Sequence, residues 1–221
     1  MLNTMADNIE EIKNSLKVLP KVFHGLEDYR VIGSILVAAI NGEAHRQLHD
    51  IDLLIDQKIY DEISQRFNEQ GFRKITKNAP GFKWNEFQKE HHLTFGVLLL
   101  GNFEKEYFQY RPNKYLALTI KNEYLEPTVY ELYGEKIRGI PLRSVYEGIK
   151  IASLNKKRMI DRQIVLAKID KDVLKGISLN QAFGVQLFGC HIPHLYILFS
   201  QIYNIIGGIR LAFGKSYDTW N

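Results

Sequence analysis

The sequence is poor in cysteine and in long apolar runs. Cys190 is the one cysteine among 221 residues, so no internal disulfide can form, and we expect a cytoplasmic protein in a reducing compartment. The first 16 residues lack the apolar core of a secretory signal. From Gly176 to Ile209 there is no Asp, Glu, Lys or Arg, but Pro193 and polar residues keep the segment short of 18 consecutive apolar residues. We therefore expect no membrane span, and favour a buried helix or helix pair over a partner-binding surface there.

A strong charge imbalance is also missing. The formal net charge is +4, and 24% of the residues are charged while 45% are hydrophobic. This composition is typical of a globular chain with one large domain or two small ones. The mild positive charge permits phosphate-bearing partners without requiring nucleic acid.

Hydrophobic spacing predicts an α+β fold. Short strand-like and helix-like segments alternate up to about Leu142, and helical spacing dominates after it. We therefore predict an α/β domain over residues 1–142, with a mixed sheet and flanking helices, and a helical domain over residues 143–221. Helix is expected in the tail as far as Phe213, where the C-terminal helices could form a homo-oligomer.

The segment DIDLLID places carboxylates on one face of a predicted strand. Side chains alternate along a strand, so Asp50, Asp52 and Asp56 share one face while the residues between them can face a core. Two carboxylates at this spacing suit Mg²⁺ held together with a substrate phosphate. The alternative is a solvated outer face of an edge strand, and Asp56 is expected to be only its polar end.

A possible phosphate site precedes this strand. Gly33 and Ser34 stand between a short predicted strand and a predicted helix, where backbone N–H groups and the helix dipole favour an anion. Arg46 adds a fixed positive charge suited to phosphate or carboxylate.

Together these motifs resemble the nucleotidyltransferase superfamily with the DNA polymerase β fold. Gly33-Ser34 precedes Asp50-Ile51-Asp52, with Arg46 four residues before the first aspartate. This spacing is similar to the branch of aminoglycoside and lincosamide nucleotidyltransferases and the AbiEii-type nucleotidyltransferase toxins. The resemblance covers residues 28–100 well and the helical half loosely.

The resemblance implies specific roles. Asp50 and Asp52 would be catalytic and bind two Mg²⁺ ions, and Gly33 and Ser34 would hold the β- and γ-phosphates of a nucleoside triphosphate. Arg46 and Lys150 would also bind the nucleotide, Lys150 from a helix after the sheet. The pattern K-R-x-x-D that ends at Asp161 is similar to a helical motif of these families. The implied reaction transfers a nucleoside monophosphate to a hydroxyl of a small molecule or of RNA.

The sequence departs from the family pattern at a third carboxylate. Active members carry one on a later strand, but the matching segment HHLTFGVLLL has Thr94 and Gly96 where an acid is expected. Glu90, just before this segment, is a possible substitute. Two alternatives stay open: a degenerate member that binds a nucleotide or a partner without catalysis, and a protein with no nucleotide site at all. In the last case Ser34 and Asp52 should lie far apart.

Overall fold

The computed structural model describes most of the chain up to Ile192. The described residues are 5–79, 82–102, 106–111, 115–151, 156–170, 182–188 and 190–192.

Six α-helices are present in this described part. They are α1 (Met5–Leu16), α2 (Leu19–Val22), α3 (Ser34–Asn41), α4 (Tyr60–Glu69), α5 (Leu142–Ile151) and α6 (Lys156–Lys168). None of these helices is long and apolar enough to cross a membrane.

The strands form two sheets. A seven-stranded mixed sheet has the order β3-β4-β5-β2-β1-β9-β8, and a four-stranded sheet has the order β11-β10-β7-β6. The strands are β1 (Tyr29–Ile32), β2 (Asp50–Asp56), β3 (Arg73–Ala79), β4 (Phe82–Gln88), β5 (Thr94–Leu100), β6 (Tyr107–Tyr110), β7 (Leu116–Lys121), β8 (Thr128–Leu132), β9 (Glu135–Gly139), β10 (Phe183–Leu187) and β11 (Cys190–Ile192).

Strand β2 is central and not at an edge. It pairs antiparallel with β1 on one side and parallel with β5 on the other. The edge-strand interpretation of DIDLLID is therefore wrong. Asp56 is also not a solvated strand end: it is 1% exposed, and its Oδ1 accepts a hydrogen bond from the backbone N–H of Lys58 at 2.8 Å.

One face of the large sheet packs against α4 and forms an aromatic core. Phe67 of α4 stacks on Phe87 of β4 with ring centroids 4.4 Å apart, and lies 5.0 Å from the Phe95 ring of β5. All three side chains are fully buried, so each contributes about 2 kcal/mol of apolar burial. The core fixes which face of β2 is inward: Ile51, Leu53 and Ile55 face it, as do Phe87 and Phe95. Asp50 and Asp52 therefore face the other side.

The mixed α+β architecture with a helical section after Leu142 is confirmed, but two segments differ from expectation. The segment NAPGFKWNEF (residues 78–87) is rich in turn-forming residues and predicts turns, but residues 82–88 form β4, because pairing with β3 and β5 on both sides outweighs the local turn preference. Residues 183–187 and 190–192 are strands and not helix, since β10 pairs with β7 along five residues. The predicted helices beyond residue 192, and the oligomer contact assigned to them, lie outside the described residues.

A buried ion cluster joins α6 to the loop that enters β2. The Asp161 carboxylate of α6 accepts a hydrogen bond from His45 Nε2 at 2.6 Å, and two from Arg46 Nε and Nη2 at 3.1 Å each. The side chains of Asp161 and His45 are both 7% exposed. The planar guanidinium matches the carboxylate with two parallel bonds, so this contact fixes the direction of α6 as well as its distance.

Burial and charge act in opposite directions on Asp161. Burial alone would raise its pKa, but the hydrogen bonds from His45 and Arg46, together with the charge of Arg46, hold the pKa below its ordinary value. The carboxylate is thus kept ionised where it joins the two parts of the fold.

Replacing Asp161→Asn is expected to lower the free energy of unfolding at pH 7 by about 3 kcal/mol, because it leaves the Arg46 guanidinium partly buried without its counter-ion. Since the folded pKa is lowered, this stabilisation is complete above the unfolded pKa of about 3.9 and is lost as the pH falls through the folded value. Urea unfolding of both proteins at several pH values measures the difference, which should shrink below about pH 4.

Asp61→Asn is the matched control, because Asp61 is exposed in the first turn of α4. It should change stability by less than about 1 kcal/mol. An equal loss in both variants would contradict a structural role for the Asp161 cluster.

Candidate functional site

The end of β1 lies against Asp52. Ile32, the last residue of β1, is the register partner of Asp52 across the antiparallel ladder, and Gly33 follows directly. The chain then turns into α3, which begins at Ser34. The site elements predicted from sequence order are therefore also neighbours in space.

The Asp52 carboxylate lies between two glycines. A Cβ atom built on Gly33 would lie 2.6 Å from Asp52 Oδ2, and one built on Gly96 would lie 3.0 Å from Asp52 Oδ1. Gly96 is the register partner of Asp52 on β5. A side chain at Gly33 would collide with the carboxylate, and one at Gly96 would crowd it, so the two glycines hold a place for this group.

Gly33 also has a backbone conformation that other residues avoid. Its φ of 76° and ψ of −157° fall in a region populated essentially by glycine. This conformation turns the chain from β1 into α3 and directs the start of the helix toward the carboxylates. Glycine is needed here both for the turn and for the space beside Asp52.

An open cleft of about 540 Å³ contains the predicted site. Its polar part includes Gly33, Ser34, Arg46, Asp50 and Asp52. Ser34 and Asp52 thus line the same cleft, which contradicts the separation expected of a chain without this site.

The remaining walls of the cleft are mainly apolar and come from both sheets and from α3 and α5. The apolar lining residues are Ile32, Leu36, Val37, Leu54, Leu98, Ile120, Tyr124, Leu125, Ile140, Val145, Ile149 and Phe183. The Tyr124 hydroxyl donates a hydrogen bond to the backbone carbonyl of Ser144 at 2.8 Å, which ties the turn after β7 to α5. Such a surface suits a ligand with an apolar body.

Arg46 lines the cleft but is engaged by Asp161, which also lines it. Its predicted contact with a nucleotide stays a prediction, and the structure adds a second role for it in positioning α6. Lys150 belongs to α5, whose residues Val145, Gly148 and Ile149 line the cleft. The Lys150 side chain lies outside the described part of the structure, so its predicted role also remains a prediction.

The third carboxylate is not found on β5. Thr94 and Gly96 are the register partners of Asp50 and Asp52, so they occupy the positions where the family pattern has an acid, and β5 contains no acid. Glu90 lies in the turn before β5 and is not among the residues that line the cleft, so the structure does not support it as a substitute. Within the described residues, no group of three or more Asp, Glu, His or Cys side chains is placed to hold one metal ion.

The nearest acid level with Asp52 across neighbouring strands is Glu86 of β4. It is the register partner of Gly96 on the side away from Asp52, so it faces the same way as Asp52 from two strands away, about 10 Å between Cα atoms. Its carboxylate accepts hydrogen bonds from Trp84 Nε1 and Gln88 Nε2, both at 3.0 Å. These bonds hold it along its own strand and not toward Asp52.

Sequence reasoning missed three contributors to the site. His45 was not singled out, and Gly96 was noticed only as a place without an acid. The apolar wall that Phe183 completes was also missed. A glycine two residues after Thr94 was the only available signal for the space beside Asp52, since the other contacts join residues far apart in the chain.

Comparisons with known proteins give a consistent result at the level of the fold. No protein-family model matches the chain, and no curated protein matches it in sequence. Among solved structures, the chain is similar to the lincosamide antibiotic adenylyltransferase LnuA with lincomycin bound, at a TM-score of 0.59 and 15% identity, over 72% of this chain and 99% of that one.

Two structures of the antibiotic-resistance factor ANT(2'')-Ia are also similar. The solution structure gives a TM-score of 0.53 at 9% identity over 73% of this chain and 87% of that one. The crystal structure with adenylyl-2''-tobramycin gives 0.52 at 10% identity over 72% and 91%. The chain therefore shares the fold of these solved structures, as the motif order predicts, and the open cleft lined by Asp50 and Asp52 belongs to that fold.

Proposed function

We propose that this cleft transfers a nucleoside monophosphate from a nucleoside triphosphate to a hydroxyl of a small molecule. The observation that carries the proposal is the position of Asp52 between Gly33 and Gly96, beside the first turn of α3. Helix N–H groups can hold phosphate oxygens there, next to carboxylates that suit Mg²⁺. In the reaction, the acceptor oxygen bonds to the α-phosphorus while the bond to the bridging oxygen breaks, and pyrophosphate and the hydroxyl proton leave.

The donor set fits a hard divalent cation. Asp50 and Asp52 lie on one face of β2 and offer only oxygen, and the two glycines leave room around Asp52. Mg²⁺ bound by these two residues would neutralise charge on the triphosphate. The protein itself contributes positioning: Gly33 and Ser34 direct the helix start at the phosphates, and Asp161 holds Arg46 in the wall of the cleft.

The walls favour a small-molecule acceptor over RNA. Within the described lining Arg46 is the one cation, and its charge is balanced by Asp161. RNA recognition needs a basic surface along the phosphate backbone. An amphiphilic molecule that buries an apolar side against Leu98, Tyr124 and Phe183 matches this cleft better. Lincomycin, bound by the similar enzyme LnuA, is a suitable first probe, followed by tobramycin.

A second candidate function is nucleotide binding without transfer. The absence of an acid from β5 favours it, because the fold and the two-carboxylate site would persist while turnover is lost. The two functions differ in one measurable respect: both require Mg²⁺-dependent triphosphate binding, and only the first gives a labelled acceptor.

The Asp52→Asn variant is expected to lose Mg²⁺-dependent binding of nucleoside triphosphates, because an amide is a poor ligand for Mg²⁺. If the chain is active, transfer from labelled triphosphate to a hydroxyl acceptor should fall by roughly 100-fold or more. Calorimetric titration of the four ribonucleoside triphosphates, with and without Mg²⁺, measures binding, and chromatography of the labelled acceptor measures transfer.

Glu86→Gln is the matched control, since it removes an acid from the same face without touching the Asp52 site. It should keep binding within about threefold of the original protein, a change of under 1 kcal/mol. Binding by the original protein without transfer to any acceptor would favour the second function. No Mg²⁺-dependent binding of any triphosphate to the folded protein would refute both.

Gly96→Ala is expected to weaken Mg²⁺-triphosphate binding while the fold persists. The new methyl group would lie 3.0 Å from Asp52 Oδ1 and force the carboxylate to move. A loss of about tenfold, or about 1.4 kcal/mol, is expected by titration, with little change in the melting temperature.

Gly33→Ala should be more damaging, since the methyl would lie 2.6 Å from Asp52 Oδ2 on a backbone with φ of 76°. Gly25→Ala separates the two effects: Gly25 has a φ of 72°, but no atom lies within 4 Å of its Cβ position. That variant should lose stability and keep binding. If Gly25→Ala weakened binding as much as Gly33→Ala, backbone strain and not contact with Asp52 would be the cause.

A further inference from the structure

A second cleft lies on the opposite face of the large sheet from Asp52. Its volume is about 630 Å³, and β3, β4, β5, β6 and the start of α4 contribute to its lining. Its polar lining includes Tyr60, Lys74, Thr76, Asn85, Gln109 and Arg111. The proposed transfer reaction uses none of them.

Strand register establishes that the two clefts are on different faces. Asn85 pairs with Val97, and Val97 pairs with Leu53. Partners across a ladder share a face, and Leu53 points away from its neighbour Asp52. A molecule in the second cleft is therefore separated from the Asp52 site by the thickness of the sheet.

The charged side chains among the described lining residues of the second cleft are all positive. Lys74 and Arg111 line it, and none of its described lining residues is an Asp or Glu. The first cleft, by contrast, contains Asp50, Asp52 and Asp161 with Arg46. The second cleft therefore favours an anion electrostatically, while the first needs a cation to accept one.

Internal hydrogen bonds occupy the acceptor atoms of two lining amides. Thr76 Oγ1 donates to Asn85 Oδ1 at 3.0 Å, and Arg111 Nε donates to Gln109 Oε1 at 3.3 Å. The atoms left to meet a ligand are the amide NH₂ groups of Asn85 and Gln109 and the terminal nitrogens of Arg111, all of which are donors. Asn85, Gln109 and Arg111 thus offer donors to a ligand, which suits the oxygens of a phosphate.

A buried hydroxyl is the third observation. Tyr60 is 8% exposed, and among the described residues its hydroxyl has no hydrogen-bond partner. The ammonium of Lys74 lies 4.7 Å from the centroid of the Tyr60 ring, which anchors that lysine at the cleft. A buried polar group normally has a partner, and one without a partner needs an explanation such as a ligand.

We propose that this second cleft binds a small phosphate-bearing molecule, with Lys74 and Arg111 as the charged contacts and Tyr60 and the two amides as neutral donors. The volume exceeds that of a single phosphate ion, which leaves room for the body of such a molecule beside its anionic group. Because it lies across the sheet from Asp50 and Asp52, binding there requires neither Mg²⁺ nor a functional first cleft.

The experiment titrates pyrophosphate and inorganic phosphate into the original protein without Mg²⁺, so that the carboxylates of Asp50 and Asp52 repel the anion from the first cleft. Binding is followed by calorimetry and by NMR of the arginine and amide side chains. We expect saturable binding of pyrophosphate that weakens at least tenfold in Arg111→Gln and in Lys74→Gln, and several-fold in Tyr60→Phe. Citrate, titrated in parallel, shows whether the site accepts carboxylates as well.

Lys77→Gln is the matched control. Lys77 lies on the same strand as Lys74 but three positions later, so it points to the other face, where it is 3.9 Å from Glu86. This variant should bind pyrophosphate like its parent. Absence of saturable binding, or an equal loss in Lys77→Gln, would overturn the proposal. Because the test uses no triphosphate and no Mg²⁺, failure of the transferase proposal would leave its result unaffected.

Discussion

The space that Gly33 and Gly96 leave for the Asp52 carboxylate is the constraint on which the rest of the site depends. The two oxygens of the Asp52 carboxylate lie against the Cβ positions of Gly33, which directly follows β1, and of Gly96 in β5. Strands β1 and β5 flank β2. A side chain at either place would displace a group that must lie within reach of the helix start at Ser34. The same glycine that leaves this space also makes the turn into α3, so one residue serves both the backbone path and the chemistry.

The aromatic core on the other face of the sheet determines on which face the Asp52 carboxylate lies. Burying Phe67, Phe87 and Phe95 together sets which side of β2 is inward, and alternation then directs Asp50 and Asp52 outward. A one-residue slip of β2 would bury both aspartates and expose Ile51 and Leu53. The apolar cost of that slip keeps Asp50 and Asp52 on the face of the sheet that carries the first cleft.

The buried Asp161 cluster gives the open face its opposite wall. By joining α6 to the loop before β2, it holds the helical section next to the carboxylates and leaves a cleft between them. The two faces of one sheet thus carry clefts of different character: one with acids and apolar walls, the other with cations and neutral donors. This difference is why we assign a metal-assisted reaction to the first and plain anion binding to the second.

Local sequence determined most elements of the α/β half and the order of its motifs. Alternation put Asp50 and Asp52 on one face, and Gly33-Ser34 marked the start of α3, because these depend only on neighbouring residues. The tertiary structure alone decided that β2 is central, that residues 82–88 and 183–187 form strands, and that Arg46 meets Asp161. Each of these rests on pairing or on a contact between residues distant in the chain: Arg46 and Asp161 are 115 positions apart, and Phe183 pairs with Ile120. Hydrophobic spacing indicates which face of an element is buried, but not which residues cover it. For that reason the space for Asp52 between Gly33 and Gly96, and the second cleft, can be recognised only in the folded chain.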